Sequence, residues 1–285
     1  MDLFSLAIQP FTDYVFMKRA LIACLGIALS SPPVGVLLIH RRMSLMGEAL
    51  SHGILPGIAF AYLLFGMWLP GLAVGGIIAG LIVTFLSNMV ARKTVLPEDA
   101  SFSSFYITAL ALGVLVLSIA GGNMNLMHLL FGNVLAVDKS SLVFIVTTSL
   151  LTITALILLY HPLIYDCFDP LFMRSVGLRS GAYNALFLVL IVCNLVAGCQ
   201  ALGTLMALGI MMVPASTAKL LSKRFVPMFI LSIMIAMTAS YGGLLLSYHL
   251  NWPSGPTIVL VCGFFYGLAL VYSLKKVDAH HASKA

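Results

Sequence analysis

The chain has 285 residues, of which 61% are hydrophobic and 8% are charged, and its mean hydropathy is +1.09. Soluble domains carry about 25% charged residues, so this chain cannot cover a water-facing surface with charge. The composition also excludes a disordered chain, a disulfide scaffold, collagen and a coiled coil. We therefore predict an all-α polytopic membrane protein that works with partner subunits.

The net charge of +6 comes from 15 Lys and Arg against 9 Asp and Glu. The basic residues form short clusters between apolar runs, which is the pattern that orients membrane proteins and not one typical of nucleic-acid binding. The five cysteines are scattered and form no Cys-x-x-Cys pair, so we interpret them as small apolar residues.

The apolar runs are long enough to cross a bilayer as helices, which need about 20 residues each. We predict eight or nine spans in a single transmembrane domain over residues 1–285, with a flexible tail at about 277–285. The runs near 44–66 and 183–201 are the weakest candidates. The nine runs are 18–39, 44–66, 68–91, 101–120, 140–160, 183–201, 203–221, 226–249 and 256–274.

Lys and Arg in the short loops predict the orientation. With nine spans, most basic clusters lie on the cytoplasmic side, which places the C-terminus inside and the N-terminus outside. Lys18-Arg19 at the outer end of the first span disagrees with the rule. An interfacial amphipathic segment from Phe4 to Tyr14, or eight spans with both ends inside, would each accommodate it. Leu126–Val137 is too short to span and predicts a re-entrant or interfacial helix.

Glu48 and His52 are four residues apart in an apolar run, so on a helix they lie one turn apart on the same face. An ionisable side chain within a span costs about 2.5–3.5 kcal/mol and is a functional candidate by default. A carboxylate with an imidazole suits Mn²⁺, Fe²⁺ or Zn²⁺. Pro56 removes a backbone donor and should free the carbonyl of His52.

A structural alternative is that Glu48 pairs with Arg41 or Arg42 and anchors the helix end. One helix offers two ligands, whereas a metal takes four to six, so two copies of the chain facing each other would be needed. Asp99 is interpreted as a loop cap, not a ligand.

The longest polar connection, Tyr160 to Ala182, contains a second informative segment. Asp169 is a natural N-cap, Pro170 a natural first helical residue and Gly177 a natural helix end. We predict a short helix at about 168–178 on the cytoplasmic side. Its apolar side chains need a surface to dock on, although a plain interfacial loop helix remains an alternative.

A third segment, residues 200–219, combines small residues with Pro214, Ser216 and Thr217. It predicts close helix packing and a possible bend that exposes backbone carbonyls. The sequence contains no Walker loop, no G-x-S-x-G and no H-E-x-x-H motif, so we predict that the chain neither hydrolyses ATP nor catalyses a reaction.

Together these segments resemble the permease subunits of ABC importers for manganese, iron and zinc. The run from Arg41 to Gly57, Arg-Arg-Met-Ser-Leu-Met-Gly-Glu-Ala-Leu-Ser-His-Gly-Ile-Leu-Pro-Gly, is similar to that family's hallmark, which usually has Asp where Glu48 stands. The Phe-Asp-Pro segment at 168–170 resembles its coupling helix. Gly-Thr-Leu at 203–205 and the run from Val213 to Leu221 resemble its late-helix signature.

The resemblance implies that Glu48 and His52 are ligands for the ion in transit, with no permanently bound cofactor. It implies that a cytoplasmic ABC ATPase dimer supplies ATP hydrolysis, that an extracytoplasmic metal-binding protein delivers the ion, and that a second permease, identical or paralogous, pairs with this one in the lipid. The residues it assigns to ATPase coupling are Asp169, Pro170, Phe172, Arg174 and Gly177.

The sequence departs from the family pattern in three places. Glu48 lengthens the ligand by one methylene, Leu171 and Met173 replace an acidic and a small residue, and Pro32-Pro33 should kink the first span.

We therefore expect an ATP-driven permease of the bacterial cytoplasmic membrane that works by alternating access. Residues 55–57, Leu-Pro-Gly, favour Mn²⁺ or Fe²⁺ over Zn²⁺ within the resemblance. An ion-coupled secondary transporter and an ABC permease for a metal chelate are the alternatives.

Overall fold

The structure is a computed structural model that describes residues 9–66, 68–119, 134, 137–168, 173 and 180–282. Within those ranges the regular secondary structure is helical, without a strand. The helices, numbered here in chain order, are α1 (Val15–His40), α2 (Ser44–Gly53), α3 (Leu55–Phe65), α4 (Leu69–Lys93), α5 (Glu98–Ile119), α6 (Lys139–Leu158), α7 (Tyr160–Phe168), α8 (Ser180–Leu202), α9 (Thr204–Leu221), α10 (Phe225–Leu250) and α11 (Ser254–Ala282).

The described ranges contain nine candidate membrane spans, which confirms the prediction of an all-α polytopic fold. The second candidate span, Ser44–Phe65, combines α2 and α3, because the regular helix is interrupted at Ile54. α1 begins at Val15, a few residues earlier than predicted, and continues through Pro32 and Pro33. A short helical segment at 9–13 precedes it, within the stretch predicted to be amphipathic.

The chain between the fifth and sixth predicted spans holds a helix that the sequence did not reveal. Residues 160–168 form α7, directly after α6, where a polar connection was predicted. Nine residues are too few to cross a bilayer, so an apolarity search cannot find such a helix. Its position matters because the chain leaves it at residue 169, the start of the predicted coupling segment.

Two expected features lie mostly outside the described residues. Of the segment Leu126–Val137, the structure describes only Val134 and Val137, both of which are buried. At the other end of the chain, α11 extends to Ala282, into the segment expected to be a flexible tail.

Helices α1, α8 and α9 form the centre of the bundle. α2, α3, α4 and α5 pack together on one side, with α8 contacting both α4 and α2, while α10 and α11 pack against α1 and α9 on the other. α6 packs against α1 and α8. Two large clusters of buried apolar side chains follow this division, one centred on α2, α3 and α8 and the other on α1, α9, α10 and α11.

A pair of glycines allows α3 and α4 to pack closely. A Cβ on Gly57 would lie 2.0 Å from the carbonyl oxygen of Gly75, and a Cβ on Gly75 would lie 2.4 Å from the carbonyl oxygen of Gly57. Small residues at such positions let helix backbones approach in lipid. The hairpin that continues the broken second span therefore depends on both residues lacking a side chain.

We expect Gly57→Ala to destabilise the protein by about 1–3 kcal/mol, because the added methyl group must push two backbones apart. The thermal unfolding midpoint of the purified protein in detergent measures this loss. Gly263→Ala in α11 is the matched control, because a Cβ there meets nothing within 4 Å. An unchanged midpoint for Gly57→Ala, or equal losses in both variants, would contradict the expectation.

Candidate metal-transport site

The helix α2 follows a tight turn after α1. Arg42 in that turn has φ 59, a left-handed conformation that non-glycine residues seldom adopt. α2 then runs for ten residues and ends at Gly53, Ile54 separates it from α3, and Pro56 stands in the first turn of α3. Pro56 lacks the backbone N–H that would reach the carbonyl a turn earlier, near His52, and the N–H of Ile54 donates to the carbonyl of Leu50 at 3.1 Å.

Glu48 and His52 lie on α2 as predicted, one turn apart. Glu48 is exposed and His52 is partly buried. Glu48 borders a small cavity of about 90 Å³, together with Leu45, Met46 and Ala49 of the same helix. This volume corresponds to about three water molecules, so it admits a small, partly dehydrated ion.

α5 forms the opposite wall of that cavity. Its contribution is Asp99, Phe102, Ser103 and Tyr106. Asp99 was interpreted as a loop cap, but it lies in the first turn of α5 and lines the cavity that Glu48 borders. Sequence spacing could not reveal this neighbour, because a separate hairpin, α3 and α4, lies between the two residues along the chain.

His52 faces the same helix. Its ring lies nearly parallel to that of Tyr106, with centroids 6.4 Å apart and an interplanar angle of 30°. Its Nδ1 atom is buried and, among the described residues, has no hydrogen-bond partner. A buried polar atom without a partner is unfavourable, and a lone pair on an imidazole nitrogen is what a divalent transition metal binds.

Glu48 does not form the ion pair with Arg41 that was the structural alternative to a metal ligand. That guanidinium forms an ion pair with Asp166, with Nη2 and Oδ2 2.7 Å apart, and in the part of the chain that the structure describes no ion pair reaches Glu48. In the same ranges, no three His, Cys, Asp or Glu side chains converge closely enough to hold a metal ion. Glu48 and His52 of a single chain, the two ligands expected from the resemblance, are too few for a complete coordination shell.

The predicted coupling residues Asp169, Pro170, Phe172, Arg174 and Gly177 lie outside the described residues. Within that segment only Met173 is described, and it is buried. The flanking helices are described: α7 ends at Phe168 and α8 begins at Ser180.

The segment 200–219 forms the end of α8 and most of α9, with Gly203 between them at φ 88. Pro214 is buried within α9, and the hydroxyl of Thr217 donates to the carbonyl of Val213 at 2.8 Å. Gly209 packs against Val259 of α11, where an added Cβ would come within 2.5 Å of that side chain. Close helix packing is therefore what this segment contributes.

The membrane-length helices of the described ranges, with a broken second span that carries an acid and an imidazole, are those of a multi-pass membrane protein. The model of the ABC 3 transport family matches residues 13–273, and the chain belongs to that family. The resemblance seen in the sequence is thereby confirmed, as are the transport role and the location in the bacterial membrane.

Among the relatives, the chain is 32% identical over 275 residues to the manganese import system permease protein ScaB of Streptococcus parasanguinis, covering 96% of this chain and 97% of ScaB. It is 31% identical over 265 residues to the manganese transport system membrane protein MntC of Halalkalibacterium halodurans, covering 93% and 89%. The solved structure of PsaBC from Streptococcus pneumoniae in complex with Fab has a TM-score of 0.83 at 28% identity, covering 94% of this chain and 95% of that one.

Proposed function

We propose that this protein is the permease subunit of an ATP-driven importer of Mn²⁺, with Fe²⁺ as the second candidate and Zn²⁺ as the third. Relatives that are named as manganese import or manganese transport proteins support the choice of metal. The donor set supports it as well, because a carboxylate oxygen and an imidazole nitrogen suit these three ions.

One observation carries the proposal: α2 places Glu48 at the edge of a small cavity, and one turn further along His52 packs against Tyr106, which lines that cavity, with the His52 Nδ1 unpartnered in the described structure. A carboxylate turned to acyl chains would cost several kcal/mol. Glu48 therefore faces a water-filled path or another protein surface. The ion binds there as substrate, on its way through.

A second copy of the permease, or a paralogue, completes the shell. Two facing α2 helices would supply two carboxylates and two imidazoles, which reaches the minimum that a divalent transition metal takes. The exposure of Glu48 in the single chain supports this pairing. Asp99, across the cavity, offers a further oxygen near the predicted cytoplasmic end of the path.

Energy comes from a cytoplasmic ABC ATPase dimer, and an extracytoplasmic binding protein delivers the metal. ATP binding and hydrolysis move the 169–177 segment, the bundle opens the α2 site to one side and then the other, and the ion leaves when its ligand geometry changes. Family membership supports this scheme over an ion-coupled secondary transporter. The donor pair of Glu48 and His52 supports a free metal ion over a metal chelate.

The test uses vesicles that contain the permease together with its ATPase and its binding protein. We expect these vesicles to accumulate radioactive Mn²⁺ only when ATP is supplied on the side of the membrane where the ATPase lies. Free Fe²⁺ and Zn²⁺, and a ferric chelate, are measured in the same vesicles. Uptake of the chelate without uptake of free Mn²⁺ would overturn the proposal, as would Mn²⁺ uptake driven by an ion gradient without ATP.

A further inference from the structure

Three helices meet at the buried side chain of Arg41, at the end of the bundle predicted to be cytoplasmic. The side chains of Arg41 and Asp166 are 9% and 3% exposed, and their charged groups are 2.7 Å apart. The guanidinium also donates to the Asn184 side-chain oxygen and, at 3.2 Å, to the Cys167 sulfur. It lies over the Phe187 ring, 4.4 Å from the centroid.

Burial raises the pKa of the Cys167 thiol, and the nearby Arg41 charge opposes that rise in part. The thiol is therefore uncharged at neutral pH, and the Asp166 carboxylate supplies the negative charge beside the guanidinium. The planar Arg41 guanidinium makes several directed hydrogen bonds and lies over the Phe187 ring. Together these contacts fix its position more strictly than a single ion pair would. The cluster is thus a rigid junction between elements.

The residues of this cluster lie next to α2 on one side and next to the predicted coupling segment on the other. Arg41 follows α1 and stands three residues before α2, the helix of Glu48 and His52. Asp166 and Cys167 lie in the last turn of α7, immediately before the predicted coupling segment. Asn184 and Phe187 lie in the first turns of α8, which follows that segment.

We propose that the Arg41–Asp166 cluster is the positioning contact that transmits movement of the 169–177 segment to α2, and so couples ATP hydrolysis to exposure of the metal site. This inference rests on the proposed function. Breaking a buried ion pair is far more unfavourable than moving both partners together, so a displacement of α7 carries Arg41 with it. Arg41 is followed directly by Arg42, whose left-handed conformation forms the turn that starts α2, so the path from the cluster to α2 is three residues long.

The test separates transmission from simple stabilisation by measuring Mn²⁺ uptake per ATP hydrolysed in the full complex. The double variant Arg41→Met/Asp166→Leu replaces the ion pair by apolar groups, a change that buried pairs often tolerate without loss of stability. We expect assembly and ATPase activity to persist while uptake per ATP falls by about tenfold. Wild-type uptake per ATP in this variant would overturn the proposal.

A second variant keeps the test decisive if the apolar pair does not assemble. Arg41→Lys retains the charge but loses the planar fork and with it the donors to Asn184 and Cys167, so we expect an intermediate uptake per ATP. A wild-type ratio in Arg41→Lys would then overturn the proposal.

The control removes a buried polar contact elsewhere in the bundle. Asn194 of α8 donates to Thr152 of α6 at 2.7 Å, away from both α2 and α7. Asn194→Leu/Thr152→Val is expected to alter the unfolding midpoint but not uptake per ATP. An equal fall in the ratio in this control would mean that any buried substitution uncouples the complex, and would overturn the specific role of Arg41.

The wild-type complex distinguishes the two levels of inference. If it transports no Mn²⁺ with ATP, the proposed function fails. If it does so and the double variant, or Arg41→Lys where the double variant does not assemble, keeps the wild-type uptake per ATP, only the transmission role fails.

Discussion

Glu48→Gln and His52→Ala are each expected to lower ATP-driven Mn²⁺ uptake by about 100-fold. Substituting groups that only support a metal ligand costs about 10–100-fold, and these two changes remove a ligand itself. Gln keeps the size of Glu48 but loses the charge that offsets the ion, and Ala removes the imidazole with its unpartnered Nδ1. The measurement is the initial rate of uptake into vesicles that contain the complete importer.

Two controls of the same chemistry accompany these variants. Asp13→Asn removes an exposed carboxylate near the start of α1, and His249→Gln alters an exposed histidine near the end of α10; both are expected to leave uptake unchanged. Size-exclusion chromatography with the ATPase checks that assembly is intact. Normal uptake in both site variants would refute the ligand assignment.

Glu48→Asp is the informative conservative change. The carboxylate remains and is one methylene shorter, as in the family pattern that the sequence resembles. We expect this variant to retain most of the uptake that Glu48→Gln loses, because charge, and not side-chain length, dominates the attraction for a divalent ion. An inactive Glu48→Asp would show that the site tolerates only the longer side chain.

Asp169→Gly/Pro170→Gly is expected to uncouple ATP hydrolysis from transport. The change removes the predicted side-chain N-cap, which costs only a few tenths of a kcal/mol when Gly replaces it, and it replaces a residue that is preorganised for the first helical turn by one with a large conformational entropy, which is the larger effect. The 169–177 segment would then transmit the movement of the ATPase to the permease less effectively. We expect the ATPase activity of the complex to continue while Mn²⁺ uptake falls by about tenfold.

The matched control places two glycines in another loop on the side predicted to be cytoplasmic. Val95 and Leu96 are exposed between α4 and α5, and Val95→Gly/Leu96→Gly leaves the predicted coupling segment intact. Uptake per ATP is expected to stay at the wild-type level. If the 169–170 variant matched this control, the docking role of the segment would be rejected.

The buried thiol and ion pair at Arg41 illustrate what a sequence search misses. Arg41 was a candidate partner for Glu48 at the predicted cytoplasmic end of the helix, yet it binds Asp166, 125 positions away. Asp99, within Leu-Pro-Glu-Asp-Ala, was interpreted as a loop cap, yet it lines the cavity beside Glu48. Both contacts depend on how α2, α5 and α7 pack, and local pattern contains no information about that packing.

Apolar run length and charge placement were enough to predict a helical multi-pass membrane protein, the spacing of Glu48 and His52 predicted a helix that bears an acid and an imidazole on one face, and the permease role came from the resemblance to a known family. That much is local, because lipid forces each apolar run to satisfy its own backbone within a helix. The break at Ile54, the short helix before residue 169, the partner of Arg41 and the wall opposite Glu48 were decided by the tertiary structure. Each is a long-range contact, set by which helix faces fit together and which buried polar groups find partners.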